Sequence, residues 1–377
     1  SIMERKYKNG NMVEKRIYNK EQQLDENGHG YAIGKYSYDN KHRLTSMRYF
    51  NNDSLPCTNK SYIHFDSIVF DNRGLKVKEM FFDKNGKKCN TLNGASVSSY
   101  KYNDKGLVTE IAYDYVMGGP DSKVFNVRLC KYEYNSMGNL IRESYFGENE
   151  KPVWNVNDIC RKEYTYDVYG NVVSESFYSP SGNLTVHSGW AVIKRVFDSR
   201  SRVKEIRYFD DKMQPIGGKY AFPIEKYKYD VDFIQNSFYK SDSMLVTHVN
   251  VYYEKGNVRK LTFTDKCENM QIMLLHGIVE APCAMVVNDF NEKGLKTKTA
   301  FYDANGELLN TEAGCAYRLY KYDDKGQMVA LESYDKHGEL SNELPSNCAI
   351  LIRDYDIYGN MIEQSYYVII SLIGYRL

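Results

Sequence analysis

Residues 166–170 read Tyr-Asp-Val-Tyr-Gly, and this frame of an aromatic residue, Asp or Asn, two variable residues and Gly returns at 102–106, 134–138, 322–326 and 355–359. The glycines of this first phase are Gly10, Gly74, Gly106, Gly138, Gly170, Gly256, Gly294, Gly326 and Gly359. His42, Ser201 and Phe233 fill three slots that lack glycine, and the four intervals between positions 42 and 170 are each 32 residues. Such spacing indicates a tandem array of about a dozen units.

Two further phases share this period. Glycine recurs twelve residues after the first turn, and half of the eight prolines lie fourteen residues after it. These positions are Gly86, Gly118, Gly182, Gly306 and Gly338, and Pro56, Pro120, Pro152 and Pro215. A slot of small residues follows, as in Gly30-Tyr31-Ala32, Gly94-Ala95, Gly189-Trp190-Ala191, Gly314-Cys315-Ala316 and Cys348-Ala349. We expect the chain to change direction at the Gly and Pro positions and adjacent units to pack closely at the small slot.

Each unit has the pattern of a β-hairpin. Alternating aromatic residues before the first turn, such as Tyr164 and Tyr166, place both rings on one face of a strand. Asp or Asn with Gly then forms a turn, and a second strand follows, as in residues 140–146, Leu-Ile-Arg-Glu-Ser-Tyr-Phe. One hairpin cannot bury its aromatic face alone, whereas stacked neighbours can. The sequence therefore predicts an all-β fold, an elongated solenoid or superhelix of hairpins with a period of about 32 residues.

The spacing also predicts how the array is divided. Residues 1–230 carry regular hairpin repeats, residues 231–284 contain one short and one long copy, and residues 285–377 are regular again. The last copy breaks into the apolar stretch 368–373, Val-Ile-Ile-Ser-Leu-Ile, which we expect either to cap the final hairpin or to mark a cut in a longer protein. We expect one continuous array.

The composition argues against several function classes. The 50 basic and 49 acidic residues leave a net charge of +1, whereas nucleic-acid binding requires a concentrated basic excess. The 35 Tyr and 16 Phe argue against disorder. The eight Cys contain no C-x-x-C pair, which excludes a zinc ribbon. The longest apolar run is too short to span a bilayer, so we expect a soluble chain without a membrane span.

The frame Tyr-Asp-x-x-Gly-Asn at 166–171 and 355–360 resembles the YD repeat of bacterial Rhs-type surface and toxin proteins. The unit is longer than the usual YD repeat. It is more similar to a bacterial variant whose second half resembles Gly-Lys-Pro-Val followed by Gly-Tyr-Ala, here Lys151-Pro152-Val153 and Gly30-Tyr31-Ala32. The resemblance covers nearly the whole chain. It implies a bacterial β-repeat protein that is secreted or belongs to the cell envelope, and it carries over no catalytic residue.

The recurring Tyr and Asp residues each allow two interpretations. The Tyr rows could stack against sugar rings or peptides, but fixed strand positions favour a core between repeats. The turn residues Asp167, Asp323 and Asp356 could bind calcium, yet a calcium site needs several oxygen ligands in one loop. One Asp per turn favours capping of the turn instead.

The recurring Cys and Glu residues also allow two interpretations each. Cys160, Cys315 and Cys348 share one phase, where we expect small buried residues rather than a disulfide between the last two. The recurring residues Glu79, Glu143 and Glu175 could be paired glycosidase carboxylates, but their repetition favours a column facing solvent.

No catalytic, cofactor or metal motif stands out. G-x-S-x-G, the phosphate-binding Walker A motif and a Rossmann glycine pattern are absent from the sequence, and the seven His lack metal-ligand spacing. Trp190 occupies the small slot and is expected to pack. Trp154 follows the proline turn, where we expect it to be exposed, and it is the best single candidate for a ligand contact.

The sequence supports three hypotheses about function. The leading hypothesis is a non-enzymatic binding or structural array of the bacterial cell envelope or surface, for glycan or protein ligands. The second is a stalk or shell segment of a larger Rhs-like secreted toxin polypeptide. The third is an enzyme whose site lies in the irregular segment, which contains His248 and His276.

Overall fold

A computed structural model describes residues 2–26, 28, 30–91, 94–116, 126–217, 222–242, 244–274, 282–312, 314–344 and 347–369. The all-β prediction is confirmed: these residues form 24 antiparallel strands, a single-turn 3-10 helix at Glu148–Glu150 and no α-helix. Within them, no helix has the length and apolar character needed to cross a bilayer.

The strands are β1 (Ile2–Lys8), β2 (Asn11–Tyr18), β3 (Ile33–Tyr38), β4 (Leu44–Phe50), β5 (Phe65–Phe70), β6 (Lys76–Phe82), β7 (Val97–Tyr102), β8 (Val108–Asp114), β9 (Leu129–Tyr134), β10 (Leu140–Phe146), β11 (Arg161–Tyr166), β12 (Val172–Tyr178), β13 (Val192–Phe197), β14 (Val203–Phe209), β15 (Ile224–Tyr229), β16 (Phe233–Ser241), β17 (Met244–Glu254), β18 (Asn257–Thr264), β19 (Met285–Phe290), β20 (Lys296–Tyr302), β21 (Tyr317–Tyr322), β22 (Met328–Tyr334), β23 (Ile350–Tyr355) and β24 (Met361–Tyr367).

The chain divides into two compact units. The first comprises Ser1–Ile193 with Asp210–Met213, and the second comprises Lys194–Phe209 with Gln214–Leu377. In the first unit β1 to β12 pair in chain order into an open antiparallel sheet. In the second unit β14 to β24 pair in the same manner. Each unit is therefore an elongated array of hairpins, while the three-part division at 230/231 and 284/285 stays a prediction.

Backbone and side chain together close the Asp-x-x-Gly turn. The Asp167 N–H donates to the Asn171 carbonyl at 3.1 Å, and the Gly170 N–H donates to the Asp167 carbonyl at 3.1 Å. The Asp167 Oδ1 accepts the N–H groups of Tyr169 and Asn171 at 2.9 Å each. Gly170 has a φ of 87°, a left-handed conformation that favours glycine. The predicted capping role of the turn Asp is confirmed.

Two of the three turns without glycine keep this geometry. His42 and Ser201 have φ values of 62° and 58°. The prediction for Phe233 is wrong, because Phe233 is the first residue of β16 and Tyr229 pairs with Ile234. A bulky aromatic side chain is strained at positive φ, and the loop here is one residue shorter than the regular one.

Each regular unit contains two more capped turns. The second turn has the predicted glycine, for example Gly86 with a φ of 75°, and the Asp83 Oδ1 accepts two backbone N–H groups there. The prolines lie just beyond this turn: Pro56, Pro152 and Pro215 bridge back to Phe50, Phe146 and Phe209. Gly118 and Pro120 lie outside the described residues.

Sequence analysis missed a third turn. The Asn155 Oδ1 accepts the N–H groups of Asn157 and Ile159 at 2.9 and 3.1 Å. Asn59 caps the corresponding turn in an earlier unit. Because this position also holds Thr311, no single residue type marks it in the sequence.

The predicted small slot is where consecutive hairpins join. The Cys160 N–H donates to Tyr178 of its own hairpin at 2.9 Å, while the Cys160 carbonyl accepts the N–H of Tyr145 from the preceding hairpin at 2.9 Å. We call this position the junction slot. Its members, whose carbonyls all accept such a bond, are Ala32, His64, Ser96, Arg128, Cys160, Ala191, Pro223, Ala284, Ala316 and Ala349. The Ala members are fully buried, which confirms the close approach.

The cysteines do not all share this slot. Cys160 occupies it, whereas Cys315 and Cys348 lie one position earlier, so the predicted common phase is wrong by one residue. All eight cysteines are free thiols, and these three are buried, as expected of small core residues.

In seven units the tyrosine before the first turn holds the preceding hairpin. The Tyr166 hydroxyl donates to the Leu140 carbonyl, 26 residues earlier, at 2.6 Å. Six other tyrosines make the same bond at 2.6–3.1 Å: Tyr38, Tyr102, Tyr134, Tyr229, Tyr322 and Tyr355. This interaction, which we call the tyrosine clasp, supports the interpretation of the Tyr rows as a core between repeats.

The spacing irregularity after residue 231 has a structural cause. β16 and β17 are nine and eleven residues long, and Ser241 pairs directly with Met244. Regular units place the second and third turns at this point. The segment that carries these two turns is missing here, and its absence shortens one copy of the repeat.

The predicted C-terminal cap lies mostly outside the described residues, which end at Ile369. Up to that point the chain follows the path of an interior unit. The Ile369 N–H donates to the Asn342 Oδ1 at 2.8 Å, as Val116 does to Asn90. The capping role of the last eight residues therefore stays a prediction.

We expect Tyr166→Phe to lower the free energy of unfolding by about 1 kcal/mol, because it removes one clasp hydrogen bond from a partly buried site. Urea denaturation followed by circular dichroism measures the change. Tyr169→Phe, at an exposed turn position, is the matched control and should leave the midpoint unchanged. Equal losses for the two variants would contradict the clasp.

Candidate functional site

The Asp-x-x-Gly turns of successive hairpins lie side by side along one edge of each unit. In the first unit the Lys105 Nζ donates to the Ser136 carbonyl of the next turn at 2.5 Å. In the second unit Lys293 and Lys325 reach the Asp324 and Ile357 carbonyls of their next turns at 2.8 and 3.1 Å. These bonds run from turn to turn and keep the edge continuous within each unit.

Grooves open between neighbouring turns, and we call them the turn grooves. One, of about 580 Å³, is lined by Leu107, Tyr132, Tyr134, Asn135 and Ile141, among others. The next one along has the same volume and is lined by Asn135, Met137, Ile141, Tyr164, Tyr166 and Val168, among others. Because both grooves use Asn135 and Ile141, they form one furrow across three hairpins.

The turn groove is a repeated feature. A groove of about 420 Å³ lies between the first two hairpins, lined by residues from Lys8 to His42. In the second unit a groove of about 580 Å³ lies between the turns at 254–257 and 289–294. The same place in the repeat therefore offers a concave surface at several points.

The furrow across β7 to β12 combines apolar contacts with a charged rim. Met137 is 65% exposed in it, at the turn position that carries Lys105 in the preceding hairpin. Arg142 lies between two carboxylates, with its Nη1 3.0 Å from Glu133 and its Nε 2.9 Å from Glu163. Such a surface can hold a ligand that offers both apolar faces and hydrogen-bonding groups.

Trp154 lies at the other end of the hairpins. It follows the second turn, seven strand residues from the Asp-x-x-Gly edge, or roughly 23 Å along β10. Its side chain is 37% exposed, but it is not among the residues that line the turn grooves. Its role as a ligand contact stays a prediction. Trp190, the other tryptophan, is half-buried.

The predicted solvent-facing column of Glu79, Glu143 and Glu175 is wrong. All three are only partly exposed and lie on the tyrosine face of the sheet. Glu143 accepts the Tyr145 hydroxyl at 2.6 Å, and Glu79 pairs with Lys76 at 2.7 Å. The strand alternation places these carboxylates beside aromatic rings, which a count along the sequence did not show.

The turn carboxylates bind their own backbone. The pKa of Asp167 is lowered, because Asn171 and the turn N–H groups donate hydrogen bonds to its carboxylate. The described part of the chain contains no group of three or more His, Cys, Asp or Glu that could hold a metal ion. In the irregular segment His248 is hydrogen-bonded to Ser237 at 2.7 Å, and desolvation lowers its pKa. His276 lies outside the described residues.

Sequence analysis missed two buried acids. Asp66 is 4% exposed, and its Oδ1 accepts the Met47 N–H at 2.7 Å. Glu225 is also buried and accepts hydroxyl hydrogen bonds from Tyr208 and Tyr227 at 2.9 and 2.5 Å. Both lie two residues after a junction slot. The same position is apolar in some units, as at Cys130, Ile193 and Leu351, and polar or basic in others, as at Ser98, Lys162 and Arg318. The sequence pattern therefore did not single out the two acids.

Comparisons with known proteins do not identify a family. No protein-family model matches the chain, and no curated protein matches it. The chain is similar to the crystal structure of TcdB2-TccC3 without its hypervariable C-terminal region, at 13% identity over 97% of this chain and 18% of that one, with a TM-score of 0.36. The similarity to TcdB2-TccC3 itself has 12% identity, 91% and 18% coverage and a TM-score of 0.31.

A further solved structure, a porin-like protein from Bacteroides uniformis, matches at 11% identity over 71% of this chain and 87% of that one, with a TM-score of 0.21. The chain thus spans less than a fifth of the TcdB2-TccC3 chains. At these identities and TM-scores the resemblance to YD-repeat proteins remains an inference from the sequence motif.

We expect the stability of the protein to fall between pH 4 and pH 7 because of Asp66. Burial raises the pKa of this carboxyl to about 6 from its usual 3.8. A raised folded-state pKa contributes stability that is fully present below about pH 4 and is lost as pH rises through about 6. The difference corresponds to about 3 kcal/mol.

Asp66→Asn keeps the acceptor for Met47 and removes the titration. The difference in unfolding free energy between wild type and Asp66→Asn should therefore shift by about 3 kcal/mol in favour of the variant between pH 3.5 and pH 7.5. Urea titrations across this range measure it, with Asp104→Asn at an exposed turn as the control. A difference that is flat with pH would contradict the burial of a titrating Asp66.

Proposed function

We propose that the chain is a non-enzymatic repeat protein of the bacterial cell envelope or surface whose turn grooves bind an extended glycan or protein ligand. The observation that carries this proposal is the recurrence of the turn groove at the same position of the repeat. A single concave site would suit a small molecule. A row of similar sites suits a ligand that is itself extended and repetitive.

The spacing of the furrow supports this ligand class. Equivalent turns of adjacent hairpins are two strands apart, or roughly 10 Å. A polypeptide in the polyproline II conformation has three residues per turn and advances about 3.1 Å per residue, so it presents the same face to each groove every three residues. A regular glycan chain likewise repeats its apolar and hydroxyl faces. Either ligand would meet tyrosine rings, Ile141 and Met137 in turn.

A second candidate rests on the sequence motif. The frame at 166–171 and 355–360 favours a stalk or shell segment of a larger Rhs-like secreted polypeptide. In that role the array would serve as a scaffold, and its grooves need not hold a ligand. The full-length gene product tests this candidate, which a toxin or membrane domain in the same polypeptide would support.

A thermal-shift screen tests the groove proposal. Bacterial and host glycans, soluble peptidoglycan fragments and extended peptides are tested against the purified chain, because a ligand of the folded state raises the melting temperature. Met137→Lys places at this groove the basic residue that the preceding turn already tolerates. It should weaken binding about tenfold, equivalent to about 1.4 kcal/mol, with no change in the melting temperature of the free protein.

Trp154→Ala is the matched control, since Trp154 lies at the opposite end of the hairpins. It should leave the ligand-induced shift intact. A shift that Trp154→Ala abolishes and Met137→Lys preserves would place the ligand at the other edge and contradict the proposal. The absence of any shift across the panel would also count against it.

A further inference from the structure

The furrow across β7 to β12 is open because neighbouring hairpins pair only in part. β8 pairs with β9 over residues 110–112, and β10 pairs with β11 over residues 142–144. The strand residues nearer the Asp-x-x-Gly turns lie outside these ladders, and the turn grooves open between them. The β16–β17 pair shows the alternative, since its ladder continues as far as Phe233 and Tyr252. The furrow therefore follows from the pairing pattern and exists before any ligand binds.

Two asparagine side chains place hydrogen-bond donors along this furrow. Asn103 and Asn135 line it at equivalent positions of successive turns, whereas the turns on either side carry Asp. The Asn135 Oδ1 accepts the N–H groups of Met137 and Asn139 at 3.0 and 2.9 Å, and the Asn103 Oδ1 accepts the Leu107 N–H at 3.0 Å. Within the described part of the chain neither Nδ2 donates a hydrogen bond. Both are therefore free to donate to a ligand.

The charges of the furrow favour a ligand with a basic group. Four carboxylates and two basic side chains line its two grooves, which gives a net charge of −2. The carboxylates are those of Asp104, Glu133, Glu163 and Asp167, and the basic residues are Lys105 and Arg142. Both cations already have partners, since Arg142 pairs with two of the carboxylates and Lys105 donates to the Ser136 carbonyl. The furrow thus repels an acidic ligand and attracts a basic side chain, whereas a neutral glycan gains nothing from its charge.

The spacing of the two grooves selects among extended polypeptides. The grooves are two strand spacings apart, or roughly 9.6 Å, and each has an apolar side chain from Leu107, Met137 or Ile141. In a β-strand, side chains on one face recur every two residues, or roughly 6.7 Å, which does not fit this spacing. In a polyproline II helix they recur every three residues, or roughly 9.3 Å, which does.

We propose that the furrow binds a proline-rich polypeptide in the polyproline II conformation, with apolar residues one turn apart and a basic residue one turn further on. This inference rests on the proposed function of the turn grooves and names their ligand class. Proline has no N–H, so such a ligand offers carbonyl acceptors, which match the amide donors of Asn103 and Asn135. Tyr132 and Tyr164 supply the aromatic lining that grooves for this helix have. Because the helix is largely formed in the free ligand, binding costs little conformational entropy.

The test uses a fluorescein-labelled peptide, Pro-Pro-Leu-Pro-Pro-Leu-Pro-Pro-Arg, whose Leu and Arg side chains recur once per turn of the helix. Fluorescence anisotropy measures its binding to the full chain. A peptide of the same composition, Leu-Pro-Leu-Pro-Pro-Pro-Pro-Pro-Arg, places its two Leu side chains on different faces and should bind about tenfold more weakly. Replacement of Arg by Glu in the first peptide should weaken binding by a similar factor, because the furrow is acidic.

Asn135→Asp tests the donor while keeping the turn, because Asp167 caps the equivalent turn of the next hairpin. The variant replaces the Nδ2 donor by an oxygen and should weaken peptide binding about tenfold, with the melting temperature of the free protein unchanged. The added negative charge alone would strengthen binding of a basic peptide, so a loss of affinity reports the lost donor. Asn51→Asp is the matched control, since Asn51 caps a second turn at the opposite edge through the Leu55 N–H. It should leave the affinity within about twofold of the wild type.

The results separate this inference from the proposed function on which it rests. Equal affinities of the two peptides of the same composition, no binding of the first peptide, or unchanged binding by Asn135→Asp would overturn the polyproline II ligand. A glycan that raises the melting temperature of the wild type but not of Met137→Lys, with no peptide binding, would reject this ligand and keep the turn grooves as a binding site. No binding of any glycan or peptide would count against both.

Discussion

At each junction slot a carbonyl accepts an N–H from the preceding hairpin, and in most units the N–H of the same residue donates into its own hairpin. The backbones approach closely where both bonds form. Small residues such as Ala32, Cys160 and Ala316 are buried at this position, whereas the longer side chains of His64 and Arg128 are partly exposed there. The pairing of each hairpin with the next one along a unit depends on this contact.

The high aromatic content of the chain also serves the packing of one hairpin against the next. A tyrosine hydroxyl clasps the preceding hairpin in seven units, and cationic side chains of one hairpin lie over aromatic rings of the next, such as Arg43 over Phe70 and Arg202 over Tyr229. Within each unit the described strands form one open sheet, and no second sheet among the described residues packs against it. Long aromatic and basic side chains supply the apolar cover between neighbouring hairpins instead.

An array built in this way distributes its surface along two edges and its ends. The turn grooves lie along one edge and Trp154 along the other, so the two candidate contacts are separable. The irregular segment, with its long β16 and β17, contains the half-buried His248, which is hydrogen-bonded to Ser237.

The sequence alone determined the period, the hairpins and the capped turns, because Asp167 and Gly170 act within five residues of chain. The positive φ of His42 and the close approach at Ala32 were local enough to predict. Only the tertiary structure decided which carbonyl each tyrosine reaches, which furrow Met137 lines and why Asp66 is buried. These features depend on the neighbouring hairpin, whose residues are about 19 to 32 positions away in the sequence and are brought close by the stacking of strands.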